Sequence, residues 1–184
     1  MNHSQSSAPL PGDGSAEQRL ARMIRVDHAG EYGAERIYSG QLAVLGRGAK
    51  GDLLRHMRDQ EVVHRERFAQ LIAERRVRPT ALLPLWHVAG FALGAVTALI
   101  GERAAMACTV AVEETIDEHY ARQAESLGED EAPLRETIEI FRAEELEHRD
   151  IGLANEAELA PAYRLLSQVI RVGCKAAIVA SEIV

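Results

Sequence analysis

The sequence predicts an all-α protein, a four-helix bundle with additional short apolar helical segments. Aromatic residues are only 4% of the 184-residue chain while 47% is apolar, and Ala, Leu, Arg and Glu dominate, a composition suited to helices rather than twisted sheets. Four segments place apolar residues at steps of three and four, the signature of a packed helix face. The connector joining the first two of them is short, so those helices are antiparallel neighbours. The length suits one domain with a real core.

The elements follow in order. The opening MNHSQSSAPLPGDGS is polar and rich in Ser, Pro and Gly, so residues 1–17 are expected to form a disordered lead-in and 18–184 the folded domain. It has neither the basic nor the apolar region of a targeting segment. Ser15 with Gln18 has the form of a capping box, opening a helix that runs to about Leu45. Gly46 to Gly51 connects it to a charged helix of about Asp52–Val77, stopped by Pro79. Residues 81–100, ALLPLWHVAGFALGAVTALI, carry no charge and lead without a loop into a helical segment reaching about Leu127. Gly128 to Pro133 separates this from a helix of about Pro133–Asn155, and a last segment of about Ala162–Ser181 follows Pro161.

The stretch 81–100 is long enough to cross a bilayer, which takes ~20 apolar residues. Pro84, His87, Gly90 and Gly94 interrupt it, which favours a buried or membrane-surface role. In Leu165–Val179, Arg171 and Lys175 stand on an otherwise apolar surface, a pattern suited to anionic lipid headgroups; ordinary packing onto the bundle is the alternative for both segments, and periodicity does not separate the two. A net charge of −7 argues against nucleic acid as a partner. Cys108 and Cys174 have no second thiol at zinc-ligand spacing and read as small buried hydrophobes in a reducing compartment.

The chemistry lies in charged residues that occupy core positions. Leu54, Met57, Glu61, His64, Phe68 and Leu71 form one stripe; Leu134, Ile138, Phe141, Glu145, His148 and Ile151 form another. Each carries Glu-x-x-His. Ile24, Glu31, Tyr38, Leu42 and Leu45 make a third stripe, and Met106, Glu113, Tyr120 and Leu127 a fourth. An ionised carboxylate removed from water must be paired, protonated or bound to a cation. The spacings form an internal repeat, since each half offers a lone Glu, a Tyr seven residues later, and then Glu-x-x-His. One Glu from each of two helices with Glu-x-x-His from each of the others is the ligand set of ferritin-like di-iron or di-manganese proteins. Four carboxylates and two imidazoles suit iron or manganese, whereas structural zinc sites favour thiolates.

The candidate metal ligands are therefore Glu31, Glu61, His64, Glu113, Glu145 and His148. Tyr120 is the candidate catalytic residue, overlooking the same cavity, with Tyr38 its counterpart. Glu66, Glu74, Glu129, Glu131 and Glu139 fall off the core stripes and belong to solvated faces. His56, His87 and His119 read as surface or hydrogen-bonded residues. Asp27, Glu35 and Asp117, one turn from the lone glutamates, are candidates to orient ligating imidazoles, with solvation the expected fate of at least one of them, and His28, close to Glu31, is a candidate further partner.

IRVDHAGEYGAERIYSGQL, DQEVVH, ACTVAVEE, EELEHRDIGL and ELAPAY resemble the demethoxyubiquinone hydroxylase family, from about residue 18 to the C-terminus. The resemblance implies a ferritin-like di-iron monooxygenase that hydroxylates the ring of a polyprenylated methoxy-benzoquinone in ubiquinone biosynthesis, with two iron ions per chain, O2 as co-substrate and NADH as ultimate reductant. It implies that Glu31 with His64 and Glu113 with His148 each serve one iron, with Glu61 and Glu145 bridging. A polyprenyl substrate implies a peripheral place on the membrane surface, and the absence of a mitochondrial-type presequence points to the cytoplasmic face of a bacterial cell membrane. Other ubiquinone-biosynthesis proteins are implied as partners. Lys175 departs from the family pattern, where Arg is usual. The rival expectations are a ferritin-like iron-binding or storage protein without organic substrate, and a structural bundle whose four core glutamates are balanced by only two histidines.

Overall fold

The computed structural model describes residues 14–184; the lead-in expected before residue 18 lies outside the described residues as far as residue 13. Six helices follow: α1 (Ala16–Leu45), α2 (Gly51–Glu74), α3 (Leu83–Ile100), α4 (Glu102–Ser126), α5 (Ala132–Ala154) and α6 (Tyr163–Ile183), with no strand among the described residues. At the start of α1 the Ser15 hydroxyl accepts from the Gln18 N–H at 3.1 Å and the Gln18 side chain accepts from the Ser15 N–H at 2.9 Å. This reciprocal cap satisfies two donors that a helix start otherwise leaves unpaired.

α1, α2, α4 and α5 form the ferritin-like bundle. Tyr38 of α1 reaches Glu113 of α4, and Tyr120 of α4 reaches Glu31 of α1, the reversed order of an antiparallel pair. α2 and α5 are antiparallel by the same test, with His64 meeting Glu144 and Gln60 meeting His148. α2 and α4 consequently run the same way, and a crossover along the bundle must join them. α3 supplies it. Eighteen residues span ~27 Å at 1.5 Å per residue, enough to return the chain along α1.

α3 lies parallel to α1 at unusually close range. A Cβ on Gly94 would stand 1.9 Å from the Ile37 carbonyl oxygen, and one on Gly40 would stand 2.1 Å from that of Phe91. Glycines at this seam let the two backbones approach where any side chain would hold them apart. The uncharged stretch and the segment after it differ from the sequence expectation in direction. Gly101, at φ 142° and ψ 168°, both ends α3 and begins α4. α4 must run opposite to α3, and one residue in a conformation that side chains rarely tolerate makes the reversal.

Along α1, α2 and α5 the buried charges lie between two apolar clusters. One contains Ile24, Phe68, Leu134, Ile138 and Phe141; the other contains Leu54, Met57, Met106 and Val110. These layers keep water from the band between them. α6 docks outside α4 through Arg171 to Glu114 and Lys175 to Glu118, the latter at 2.9 Å. The two cations expected to face lipid headgroups thus also pair within the fold, while their side chains stay 40% and 55% exposed. Trp86 of α3 donates to the Ser181 hydroxyl of α6 at 3.1 Å, tying the two outer helices together.

Candidate metal centre

Six buried side chains converge between the apolar layers. Glu31, Glu61, His64 and Glu145 place one ligand atom each within 4.8 Å of one another, and so do Glu61, Glu113, Glu145 and His148. Glu61 and Glu145 belong to both groups. All six side chains are at most 1% exposed. Both imidazoles turn Nδ1 inward: that of His64 lies 3.3 Å from Glu31 and 3.1 Å from Glu145, and that of His148 lies 3.2 Å from Glu61 and from Glu145. Phe141 stacks on the His64 ring at a centroid distance of 4.0 Å.

The residues fit divalent cations by their own unmet needs. Glu31 Oε2, both oxygens of Glu61, Glu113 Oε2, Glu145 Oε2 and His148 Nδ1 are buried without a hydrogen-bond partner. A folded protein does not ordinarily strand so many polar atoms in one place, and two cations would satisfy them together. Electrostatics agree. Burial first, then repulsion from Glu145, pushes Glu61 and Glu113 well above the usual carboxylate range. Burial opposes charge on His64 too, yet Glu145 and Glu31 raise it to about 12. Glu145 is held at about 2, because His148 and His64 outweigh the effect of its burial. Hard oxygen donors with two imidazoles, outnumbering any balancing protein cations, form a donor set suited to iron or manganese.

Several expectations about the surroundings are corrected. Asp27, Glu35 and Asp117 do not hold the imidazoles. Asp27 accepts from Gln123 at 2.7 Å and lies 3.5 Å from His119; Glu35 accepts from Arg65 at 2.6 Å and Asp117 from Arg142 at 2.5 Å. His28 Nδ1 is buried without a partner, and burial followed by Arg65 lowers its pKa. The outer nitrogens belong instead to two residues that sequence reading passed over. His64 Nε2 meets Glu144 at 2.6 Å and His148 Nε2 meets Gln60 at 2.9 Å. Each immediately precedes the glutamate of a Glu-x-x-His, and aligning the two copies would have marked that position.

The tyrosines cross the repeat. Tyr38 donates to Glu113 Oε1 at 2.6 Å and Tyr120 donates to Glu31. Burial is the largest cause holding both phenols protonated. His87 meets the Tyr32 hydroxyl at 2.7 Å, and His56 is exposed. Burial also pushes the Cys108 thiol up, and Cys174 to about 11, so neither is a reactive thiolate.

Beside this centre, an apolar cavity of about 370 Å³ lies between α1, α4, α3 and α6, walled among others by Gly33, Ile37, Leu93, Val112, Ile170 and Gly173. Gly30 and Val112, which precede Glu31 and Glu113, also line it. Tyr120 is not part of its described lining. The outer faces of α3 and α6 are apolar and exposed: Leu85, Val88, Val96 and Leu99 on one, Leu165, Val169, Val172 and Val179 on the other.

Residues 18–181 match the family model for ubiquinone biosynthesis protein COQ7. The chain is 62% identical to the 3-demethoxyubiquinol 3-hydroxylase of Rhodospirillum rubrum over 174 residues, which are 94% of this chain and 82% of that protein. It is 55% identical over 180 residues to the human mitochondrial NADPH-dependent 3-demethoxyubiquinone 3-hydroxylase, covering 96% of this chain and 83% of the relative. The yeast mitochondrial 5-demethoxyubiquinone hydroxylase is 41% identical over 180 residues, covering 89% and 77%. A bundle with paired carboxylate and histidine groups beside an apolar cavity, and likeness over nearly its whole length, place this chain in the COQ7 family of ubiquinone biosynthesis.

Proposed function

We propose that this chain is a 3-demethoxyubiquinol 3-hydroxylase, a di-iron monooxygenase that adds one oxygen atom from O2 to the ring of a polyprenylated methoxy-benzoquinol. The reading rests on one observation above the rest: two ligand groups share Glu61 and Glu145, beside an apolar cavity walled by α1 and α4. Glu31 with His64 would hold one iron and Glu113 with His148 the other, the shared glutamates bridging. Irons bound there supply dioxygen activation. The chain itself holds the ligands in fixed positions, excludes water with its two apolar layers, and binds the ring and the first part of the tail in the cavity. Tyr120 enters as the residue that holds the Glu31 carboxylate, with Tyr38 doing the same for Glu113.

The tail determines where the protein works. A polyprenyl chain resides in a bilayer, and the cavity lies between the two helices whose outer faces are apolar and exposed. α3 is long and apolar enough to span a membrane, but its inner side is seated on α1 through Gly90 and Gly94. A peripheral position with α3 and α6 laid in the membrane surface fits both facts, and the cytoplasmic face of the bacterial membrane is the proposed location. Electrons are proposed to come ultimately from a reduced nicotinamide; NADH follows the sequence reading, while the human and rat relatives are named NADPH-dependent. The storage alternative leaves the cavity and the exposed apolar faces without a use.

The test is iron-loaded protein in liposomes carrying demethoxyubiquinol, with a reductant and ¹⁸O2. One labelled oxygen in the product, lost when iron is removed and regained on reloading, is expected. Iron uptake without any hydroxylated quinol would overturn the enzymatic reading in favour of iron binding alone. NADH and NADPH compared as electron sources in the same assay decide the reductant.

A further inference from the structure

The internal repeat is not symmetric where it touches the imidazoles. Position 60 precedes Glu61 and position 144 precedes Glu145, and each reaches across the bundle to the histidine of the other half: Gln60 Oε1 to His148 Nε2 at 2.9 Å, Glu144 Oε2 to His64 Nε2 at 2.6 Å. Geometry and location match. The chemistry does not, because one partner is a neutral amide and the other a carboxylate. Glu144 keeps a 37% exposed side chain, so water still reaches its carboxyl group.

In both contacts the outer nitrogen is the donor, since an ionised carboxylate has only acceptors and the Gln60 atom facing the ring is its carbonyl oxygen. Once an ion replaces the inward proton, that hydrogen bond keeps Nε2–H in place and leaves the Nδ1 lone pair to the ion. A carboxylate pulls on that proton more strongly than an amide oxygen does. It therefore leaves more electron density on the inward nitrogen, and its charge favours a more highly charged ion on the far side of the ring.

We propose that Glu144 is a positioning residue that makes the two metal positions unequal: the one served by His64 and Glu31 binds iron more tightly and favours its ferric state more than the one served by His148 and Glu113. This rests on the reading of a two-iron site. The inequality is written into a single position of the repeat, and exchanging Gln60 and Glu144 should exchange the two sites.

The experiment isolates each position. His148→Ala leaves the group of Glu31, Glu61, His64 and Glu145; His64→Ala leaves Glu61, Glu113, Glu145 and His148. Anaerobic ferrous titration should show the His148→Ala protein binding iron about tenfold or more tightly than the His64→Ala protein, the range that outer hydrogen-bond partners command. Adding Glu144→Gln to His148→Ala should remove that advantage, and adding Gln60→Glu to His64→Ala should supply it. Equal affinities that neither substitution moves would overturn the proposal. Should the single-site proteins fail to fold, ⁵⁷Fe Mössbauer spectra of the intact protein take their place. Two distinct quadrupole doublets are expected in the wild type, converging in Glu144→Gln and again in Gln60→Glu, and unchanged splitting in both variants would overturn it. Failure of the wild type to take up about two irons would instead defeat the di-iron reading itself, a result visible before any variant is made.

Discussion

The interior of the four-helix bundle and its outer layer of α3 and α6 break the usual rule of burial in opposite senses. Inside, Glu31, Glu61, Glu113, Glu145, His64 and His148 are almost wholly shielded from solvent. Outside, Leu99 is 73% exposed and Val172 63%. In a protein that met only water, both arrangements would be costly: buried carboxylates want water or a counter-ion, and contiguous apolar faces want cover. Under the proposed function each has its own use, metal binding for the interior and contact with a membrane surface for the exterior. The cavity between them is where a substrate with a polar ring and an apolar tail would meet both.

Breaking the interior should produce the largest effect. Glu145→Ala removes a ligand common to both groups, so iron content should fall from about two per chain to little or none. Turnover should fall by more than the ~10–100-fold typical of outer partners. Full iron content with wild-type turnover would disprove the assignment. The same interior predicts a pH response. The folded chain favours the protonated forms of Glu61 and Glu113, so their contribution to the stability of metal-free protein is present below about 4.5 and is lost as pH rises through their elevated values. The contribution of His64, raised to about 12, is likewise present at acid pH and begins to be lost above about 6.5. Glu145, depressed to about 2, contributes above its ordinary range and loses that contribution only in strong acid. Metal-free protein should therefore melt at progressively lower temperature from about pH 5 to 8, while ferrous affinity rises over the same interval because iron displaces those protons. Thermal unfolding with and without iron measures both trends; a metal-free melting temperature that climbs with pH would contradict them.

Breaking the outer layer should separate substrate from metal. Leu99→Glu with Val172→Glu puts charge on exposed positions of α3 and α6, where the fold loses little, about 0.5 kcal/mol or less each. Each apolar side chain contributes about 1.5–3 kcal/mol on full burial, so liposome flotation should drop by tenfold or more, roughly. Turnover of a long-tailed quinol should fall with it, while iron content and turnover of a tail-free analogue hold. Loss of iron in that variant would show that these faces support the bundle instead. Gly94→Ala attacks the seam between the layers. Its Cβ would meet the Ile37 carbonyl, and moving α3 away should cost about 1–3 kcal/mol and impair quinol binding before iron binding.

The two regions also differ in how much of them could be read in advance. The buried cluster of six was legible because each member is a charged residue on an apolar stripe, and a stripe of that kind has few explanations. The bundle was legible from the same periodicity. Gly101 was not, since helical pattern continues on both sides of it and only the direction of the chain changes. Gln60 and Glu144 escaped because each lies off the buried stripe of its own helix and resembles a solvated residue until the facing helix is in place. The ion pairs of Arg171 and Lys175 escaped for a similar reason: their partners Glu114 and Glu118 lie 57 residues earlier in the chain, beyond the reach of local pattern.

The smallest predicted effect concerns the tyrosines, and it sharpens the comparison between interior and cavity. Tyr120 was a candidate for work on the quinol, yet its hydroxyl is spent on Glu31, as that of Tyr38 is on Glu113. Tyr120→Phe and Tyr38→Phe should then behave alike. Each removes a hydrogen bond to a carboxylate, worth about 1.5–3 kcal/mol where the acceptor stays charged and buried and less where a metal shares that charge. Both variants should keep their iron and lose turnover roughly a few-fold, with the apparent KM for the quinol unchanged, because neither tyrosine lines the cavity. If Tyr120→Phe alone raises KM while Tyr38→Phe is silent, Tyr120 touches the ring during turnover, and the hydroxyl must leave Glu31 to do so. Steady-state rates for both variants, measured below and above saturation with iron content determined on the same samples, distinguish the two outcomes.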